Sequence, residues 1–118
     1  MTNVQHSSLA AGRWRSFSLM AQLANVGSEV ERALNWRNKG NPEYSRLAFL
    51  RGLELLDLTI ADPRHRHRLK EITRLREALL DFFLGDNEFR STEKSWRSYF
   101  FGFAHASALE KRKTFGKI

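Results

Sequence analysis

The groups of this chain that could do chemistry are few: charged side chains on apolar helix faces, four histidines and an arginine-rich run. Asp57 falls on the stripe of Phe49, Leu53 and Ile60, about 40° from Leu53 on a helical wheel. Arg68 and Arg76 fall about 40° to either side of Ile72. Gln22, Asn25 and Glu29 border the apolar stripe nearer the N-terminus. Charges are rarely buried unless paired, because desolvation costs several kcal/mol per ion. Folding the chain about Asp62-Pro63 brings Asp57 level with Arg68, and Arg76 level with Phe49. The expectation is a buried polar cluster of Glu29, Asp57, Arg68 and Arg76. Asp57–Arg68 would be one pair, with Arg76 the alternative partner, and Arg76 with Glu29 or Glu54 a second. Such a cluster would fix helix register, or line a small polar ligand pocket.

Other chemistries find no constellation. No Glu-x-x-His pair occurs, so the carboxylate-bridged di-metal arrangement of helical bundles is not encoded. His65 and His67, two residues apart, lie on different sides of a helix and read as solvated first-turn residues. His105 reads as a packed or surface residue, and His6 stands alone. Cysteine is absent, the serines lack a His/Asp partner set, and no glycine-rich phosphate loop is present. The expectation is no catalytic residue, no cofactor and no metal.

Charge is the stronger signal. The chain of 118 residues carries a net +7, unevenly spread. Arg64, Arg66, Arg68, Lys70, Arg74 and Arg76 face only Glu71, and Lys111, Arg112, Lys113 and Lys117 face only Glu110. Arg64, Arg66, Lys70 and Arg74, with the tail, form a candidate patch for a polyanion such as nucleic acid. The bland alternative is a solvated basic face.

Turn signals say what must position these groups. Gly40-Asn41-Pro42, Asp62-Pro63 and Gly85-Asp86-Asn87 separate segments with helical apolar spacing, and a further one follows Ser91. The pattern predicts an all-α fold, an antiparallel up-and-down four-helix bundle, because short connections force neighbours antiparallel. Residues 1–15 read as a flexible segment, 16–113 as the bundle and 114–118 as a basic tail. Ser16 or Ser18 caps the first helix, which runs to about Lys39. Helices follow from Pro42 to Ala61, from Pro63 to Leu84, and from Ser91 or Thr92 to about Lys111. The expected core is Leu19, Leu23, Val26, Val30, Ala33 and Leu34; then Phe49, Leu50, Leu53, Leu56 and Ile60; then Leu69, Ile72, Leu75, Leu79, Leu80 and Phe83; then Trp96, Tyr99, Phe100, Phe103 and Ala106. Gly27 and Gly52, in mid-helix, point to close helix approach.

Tyr44, Leu47, Leu55 and Leu58 form a second apolar row, and Phe101 points away from the main seam. Apolar surface beyond one seam predicts a homo-oligomer. No apolar run is long enough to span a membrane, and the first residues lack the pattern of a signal peptide, so the expected place is the cytoplasm. Two function classes follow. One is a non-enzymatic oligomeric adaptor or assembly module with a protein partner; the other is a basic bundle that binds the phosphate backbone of RNA or DNA. An enzyme using Glu29, Asp57 and Arg76 ranks third.

The runs Gly27-Ser-Glu-Val-Glu-Arg-Ala-Leu-Asn-Trp36, Leu53-Glu-Leu-Leu-Asp-Leu-Thr-Ile-Ala-Asp-Pro63, Arg68-Leu-Lys-Glu-Ile-Thr-Arg-Leu-Arg-Glu77 and Phe83-Leu-Gly-Asp-Asn-Glu-Phe89 resemble a small prokaryotic family of all-helical proteins, over most of Trp14 to His105. The resemblance implies a helical fold and carries no activity. In size and architecture the chain is also similar to HEPN-type bundles and to helical proteins encoded in ribosomal RNA intervening sequences. The Arg-to-His spacing of the HEPN ribonucleases is missing; the nearest, Arg97 to His105, is longer. Fold-level likeness of this kind does not transfer function.

Overall fold

In the computed structural model, residues 12–116 are described, with side chains through 113. The described residues are helices and turns, without a strand. After one helical turn at 12–14 come α1 (Leu19–Asn38), α2 (Pro42–Ile60), a 3₁₀ turn (Pro63–Arg68), α3 (Leu69–Leu84) and α4 (Glu93–Gly116). Most of the expected flexible segment, and the end of the basic tail, lie outside the described residues.

Local chemistry sets the helix ends. Ser18 caps α1 by accepting from Ala21 N at 3.1 Å. Gly40, at φ +77°, takes the left-handed conformation that ends the helix, where a Cβ would be strained. Asn41 Oδ1 accepts from Tyr44 N at 3.0 Å, with Pro42 in the first turn of α2. Thr92 and Ser95 cap α4 reciprocally, each side chain accepting the other's backbone N–H at 3.0 and 2.9 Å. Asp81 on α3 accepts from Glu88 N at 2.8 Å and Phe89 N at 3.0 Å. That carboxylate ties down the loop before α4, so Asp81 is not the idle surface residue that its place on the wheel suggests.

α1 packs against both α2 and α4, and α2 packs against α3. Ser45 Oγ donates to Ala33 O at 2.8 Å across the first contact. In the second, a Cβ at Gly27 would lie 2.7 Å from Phe100 Cβ, so the glycine is required for the helices to come this close. α3 and α4 meet through rings, with Phe82 and Trp96 centroids 6.4 Å apart, rather than by close backbone approach. The core joins Leu23, Val26, Val30 and Leu34 to Phe49, Leu53, Leu56, Ile72, Leu75, Leu79, Trp96 and Phe100.

Three expectations need correction. α2 buries Ser45, Ala48, Phe49, Gly52, Leu53, Leu56 and Thr59, a face rotated by roughly 70° from the most apolar one. Close approach to α1 selects small residues there, and leaves Leu50 40% exposed. Leu69 is likewise exposed. Pro63 opens a 3₁₀ turn rather than α3 itself, with His65 out of helical geometry at φ −104°, ψ 17°.

Candidate polyanion-binding end and the buried polar network beneath it

The turn between α2 and α3 carries the densest buried chemistry in the molecule. Asp62 is the N-cap of the 3₁₀ turn and accepts from Arg64 N at 3.0 Å. Its carboxylate is fully buried, and Arg64 Nη2 lies 2.6 Å away. Gln22 of α1 donates to the same carboxylate at 3.3 Å. The Arg64 guanidinium, against the opposing effect of burial, holds Asp62 far below the usual carboxylate range.

His65 completes the set. It is only 7% exposed, and its Nε2 lies 3.1 Å from Gln22 Oε1 and 3.4 Å from Asp62 Oδ2. Gln22 Nε2 is committed to donation, to Trp14 O at 3.0 Å and to Asp62, so Oε1 must be the acceptor of the His65 proton. His65 therefore carries a proton on Nε2. Burial, outweighing the attraction of Asp62, pushes its pKa down from the ordinary 6.5. Trp14 Nε1 donates to Thr59 Oγ1 at 3.0 Å, and Arg64 Nη2 also donates to Phe17 O at 2.9 Å. The network thus clamps the turn before α1, the start of α1, the end of α2 and the 3₁₀ turn into one corner.

The expected buried cluster of Glu29, Asp57, Arg68 and Arg76 does not form. Asp57 leaves 53% of its side chain exposed and pairs with Arg76 at 2.7 Å, so its partner is the alternative one and the bridge is a surface bridge. Arg68, at the end of the 3₁₀ turn, pairs instead with Glu71 in the first turn of α3 at 2.9 Å. Glu29 meets Arg32 at 2.9 Å and Arg51 at 3.5 Å. The rotation of α2 turns Asp57 outward, so its bridge to Arg76 lies at the surface. His65 is not the solvated residue expected either, because the 3₁₀ turn points it at Gln22. Gln22 was visible in sequence as a polar residue in line with Val26 and Val30, and is wholly buried. Nothing local signalled that its partners would be Asp62 and His65, which come from another helix connection.

The candidate patch residues divide. Arg64 is committed inward to Asp62, whereas Arg66, Lys70 and Arg74 are exposed. The corner also collects basic residues remote in sequence. Trp14 and Phe17 bring the exposed Arg13 and Arg15 alongside the 3₁₀ turn. Ser18 Oγ donates to Glu110 Oε1 at 2.6 Å, which brings the exposed Lys111, Arg112 and Lys113 of α4 to the same end. At the other end, charges are mixed and bonded: Asn38 donates to Glu93 at 2.9 Å, and Arg97 reaches Glu31 at 2.9 Å. The Asn38 hydrogen bond, then Arg97, hold Glu93 below the usual carboxylate range. Among the described residues no group of three His, Asp or Glu could hold a metal ion, and no helix is long and apolar enough to cross a membrane.

No family model, curated protein or solved structure matches the chain. What the basic end does must be read from its own residues.

Proposed function

We propose that this chain is a non-enzymatic helical-bundle module that binds the phosphate backbone of nucleic acid through its basic end. The same proposal takes the four long helices as an antiparallel up-and-down bundle, with the start of α1 and the end of α4 at the binding end. The supporting observation is convergence. Arg13 and Arg15, Arg66 and Lys70, and Lys111 to Lys113 come from three separate parts of the chain and share one corner with their charges outward. Fields of one sign attract polyanions, and phosphate contacts account for most sequence-independent affinity. The buried Asp62–Arg64 pair adds no net charge and holds the turn that displays Arg66 and Lys70. Of the two large rings here Trp14 is buried and Phe17 is exposed, and one exposed ring makes no stacking platform, so backbone contact is favoured over base stacking.

The test is anisotropy titration of labelled RNA and DNA duplexes. Affinity should fall about a thousandfold between roughly 50 and 200 mM salt if some six phosphates are engaged. Arg66→Glu/Lys70→Glu/Arg112→Glu, checked for helicity, should abolish binding. Binding that survives both salt and charge reversal overturns the proposal.

A second reading is the homo-oligomeric assembly module. It is supported by Leu47 and Leu50, each with two-fifths of its surface open on α2, and by Phe101, 70% exposed on α4. The two readings are compatible, because neither apolar surface lies at the basic corner.

A further inference from the structure

The open seam between α3 and α4 holds a groove of about 370 Å³. Its α3 wall is Glu71, Arg74, Leu75 and Ala78, and its α4 wall is formed mainly by Trp96 and Tyr99. The groove exists because Gly27 draws α4 onto α1 while α3 packs on α2, which leaves this fourth side spanned by rings alone. Its volume is in the range of small-ligand sites.

Two groups beside the groove lack a partner among the described residues. Trp96 is nine-tenths buried, and its Nε1–H has no acceptor among the described residues, although a buried donor left unpaired is costly. Arg74, exposed at the rim, has no ion pair, because Glu71 is taken by Arg68. Burial pushes the Tyr99 phenol up, so it stays neutral and can donate. Leu75, Ala78 and the paired rings of Trp96 and Tyr99, centroids 6.1 Å apart, form an apolar lining. With Glu71 held by Arg68, the Arg74 cation and the Tyr99 hydroxyl beside an apolar slot complement a flat ring bearing a negative acceptor.

We propose that the α3–α4 groove binds a small aromatic carboxylate, its ring against Trp96, Tyr99 and Ala78 and its carboxylate on Arg74. A bidentate guanidinium contact suits this acceptor. The site borders the basic corner through Arg74, but its apolar wall of Ala78, Trp96 and Tyr99 lies beyond the patch and does not depend on nucleic-acid binding.

The test uses 2-naphthoate as probe and 2-naphthamide as its uncharged control, followed by the three tryptophan indole N–H signals in ¹H–¹⁵N spectra of the full chain. Naphthoate should move the Trp96 signal and leave that of Trp14, which is bonded to Thr59, in place. Arg74→Gln should weaken naphthoate about tenfold or more, the loss expected for one charge-assisted contact, and leave naphthamide unchanged. Ala78→Phe should block both probes while nucleic-acid affinity, measured in parallel, is retained. No shift at Trp96, or equal binding of acid and amide, overturns the proposal. So does binding unchanged by Ala78→Phe in a variant shown to be folded.

Discussion

Asp57 and Asp62 take the same side chain into opposite surroundings, and the difference can be measured. Asp62 is fully buried, caps a turn and accepts from both Arg64 and Gln22. Asp62→Ala should cost about 2–3 kcal/mol, since it removes a cap and strands buried donors. Asp57 makes one solvated bridge, so Asp57→Ala should cost about 1 kcal/mol or less. Chemical denaturation of the two variants checks the order, and equal losses would show that the Asp62 network does not hold the corner. His65 adds a pH dependence. Its pKa is depressed in the folded protein, so the unfolded chain binds the proton more readily. The stability tied to neutral His65 is complete above the unfolded value of 6.5 and declines as pH falls below it toward the folded value. Asp62 acts in the same direction but only below its unfolded value of 3.8. Melting temperature should therefore drop as pH falls below about 6.5, and His65→Gln should flatten that slope. An NMR midpoint for His65 at or above 6.5 would contradict its burial as a neutral ring.

At the scale of elements, two glycines in mid-helix serve unlike purposes. A Cβ at Gly27 would meet Phe100 side-chain atoms at 2.7–2.9 Å, whereas one at Gly52 would meet Glu29 Cβ at 3.4 Å. Gly27→Ala should destabilise by about 1–3 kcal/mol through overpacking of α1 on α4. Gly52→Ala has room, and should stabilise by about 0.5–1 kcal/mol by restricting the unfolded chain. Thermal melts of both variants separate the cases, and destabilisation by Gly52→Ala would place α1 and α2 closer than they are here. The loop before α4 is held from α3. Asp81 should be worth about 1–2 kcal/mol by its two backbone amides, so Asp81→Ala should equal or exceed Asp57→Ala in cost.

For the whole molecule, the basic groups lie apart from the exposed α2 leucines and Phe101, although Phe17, Leu69 and Leu109 are exposed beside them. Basic groups gather where the turn before α1, the 3₁₀ turn and the end of α4 meet. The exposed leucines of α2 and Phe101 of α4 lie elsewhere. If these apolar residues mediate self-association, sedimentation at tens of micromolar should show a species larger than a monomer. Leu47→Glu/Phe101→Glu should return it to monomer without loss of helicity. A monomeric wild type would remove the assembly reading and leave nucleic-acid binding untouched.

The all-helical class, most helix starts and most of the core were legible in the sequence, because they are local, whereas the separate 3₁₀ turn at Pro63–Arg68 was not. Ser18, Asn41-Pro42, Asp62-Pro63 and Thr92 act on amides within the next turn, and the apolar repeats of α1, α3 and α4 follow helical period. The close approach at Gly27 was legible too, since glycine in mid-helix needs a packing reason. The buried phase of α2 was not, because the side that faces α1 is chosen by fit to another helix and not by the greatest apolarity of its own residues. Asp57 and Leu50 went outward for that reason, and Ser45, Ala48 and Gly52 inward. The polar network was unreadable as a unit. Trp14, Gln22, Thr59, Asp62 and His65 are each unremarkable alone and acquire partners only when the start of α1 and the end of α2 meet. Sequence therefore determined the helices and the excess of positive charge, both sums of local terms. Tertiary structure decided which charges are buried and which share a surface, because those depend on distances between segments remote along the chain.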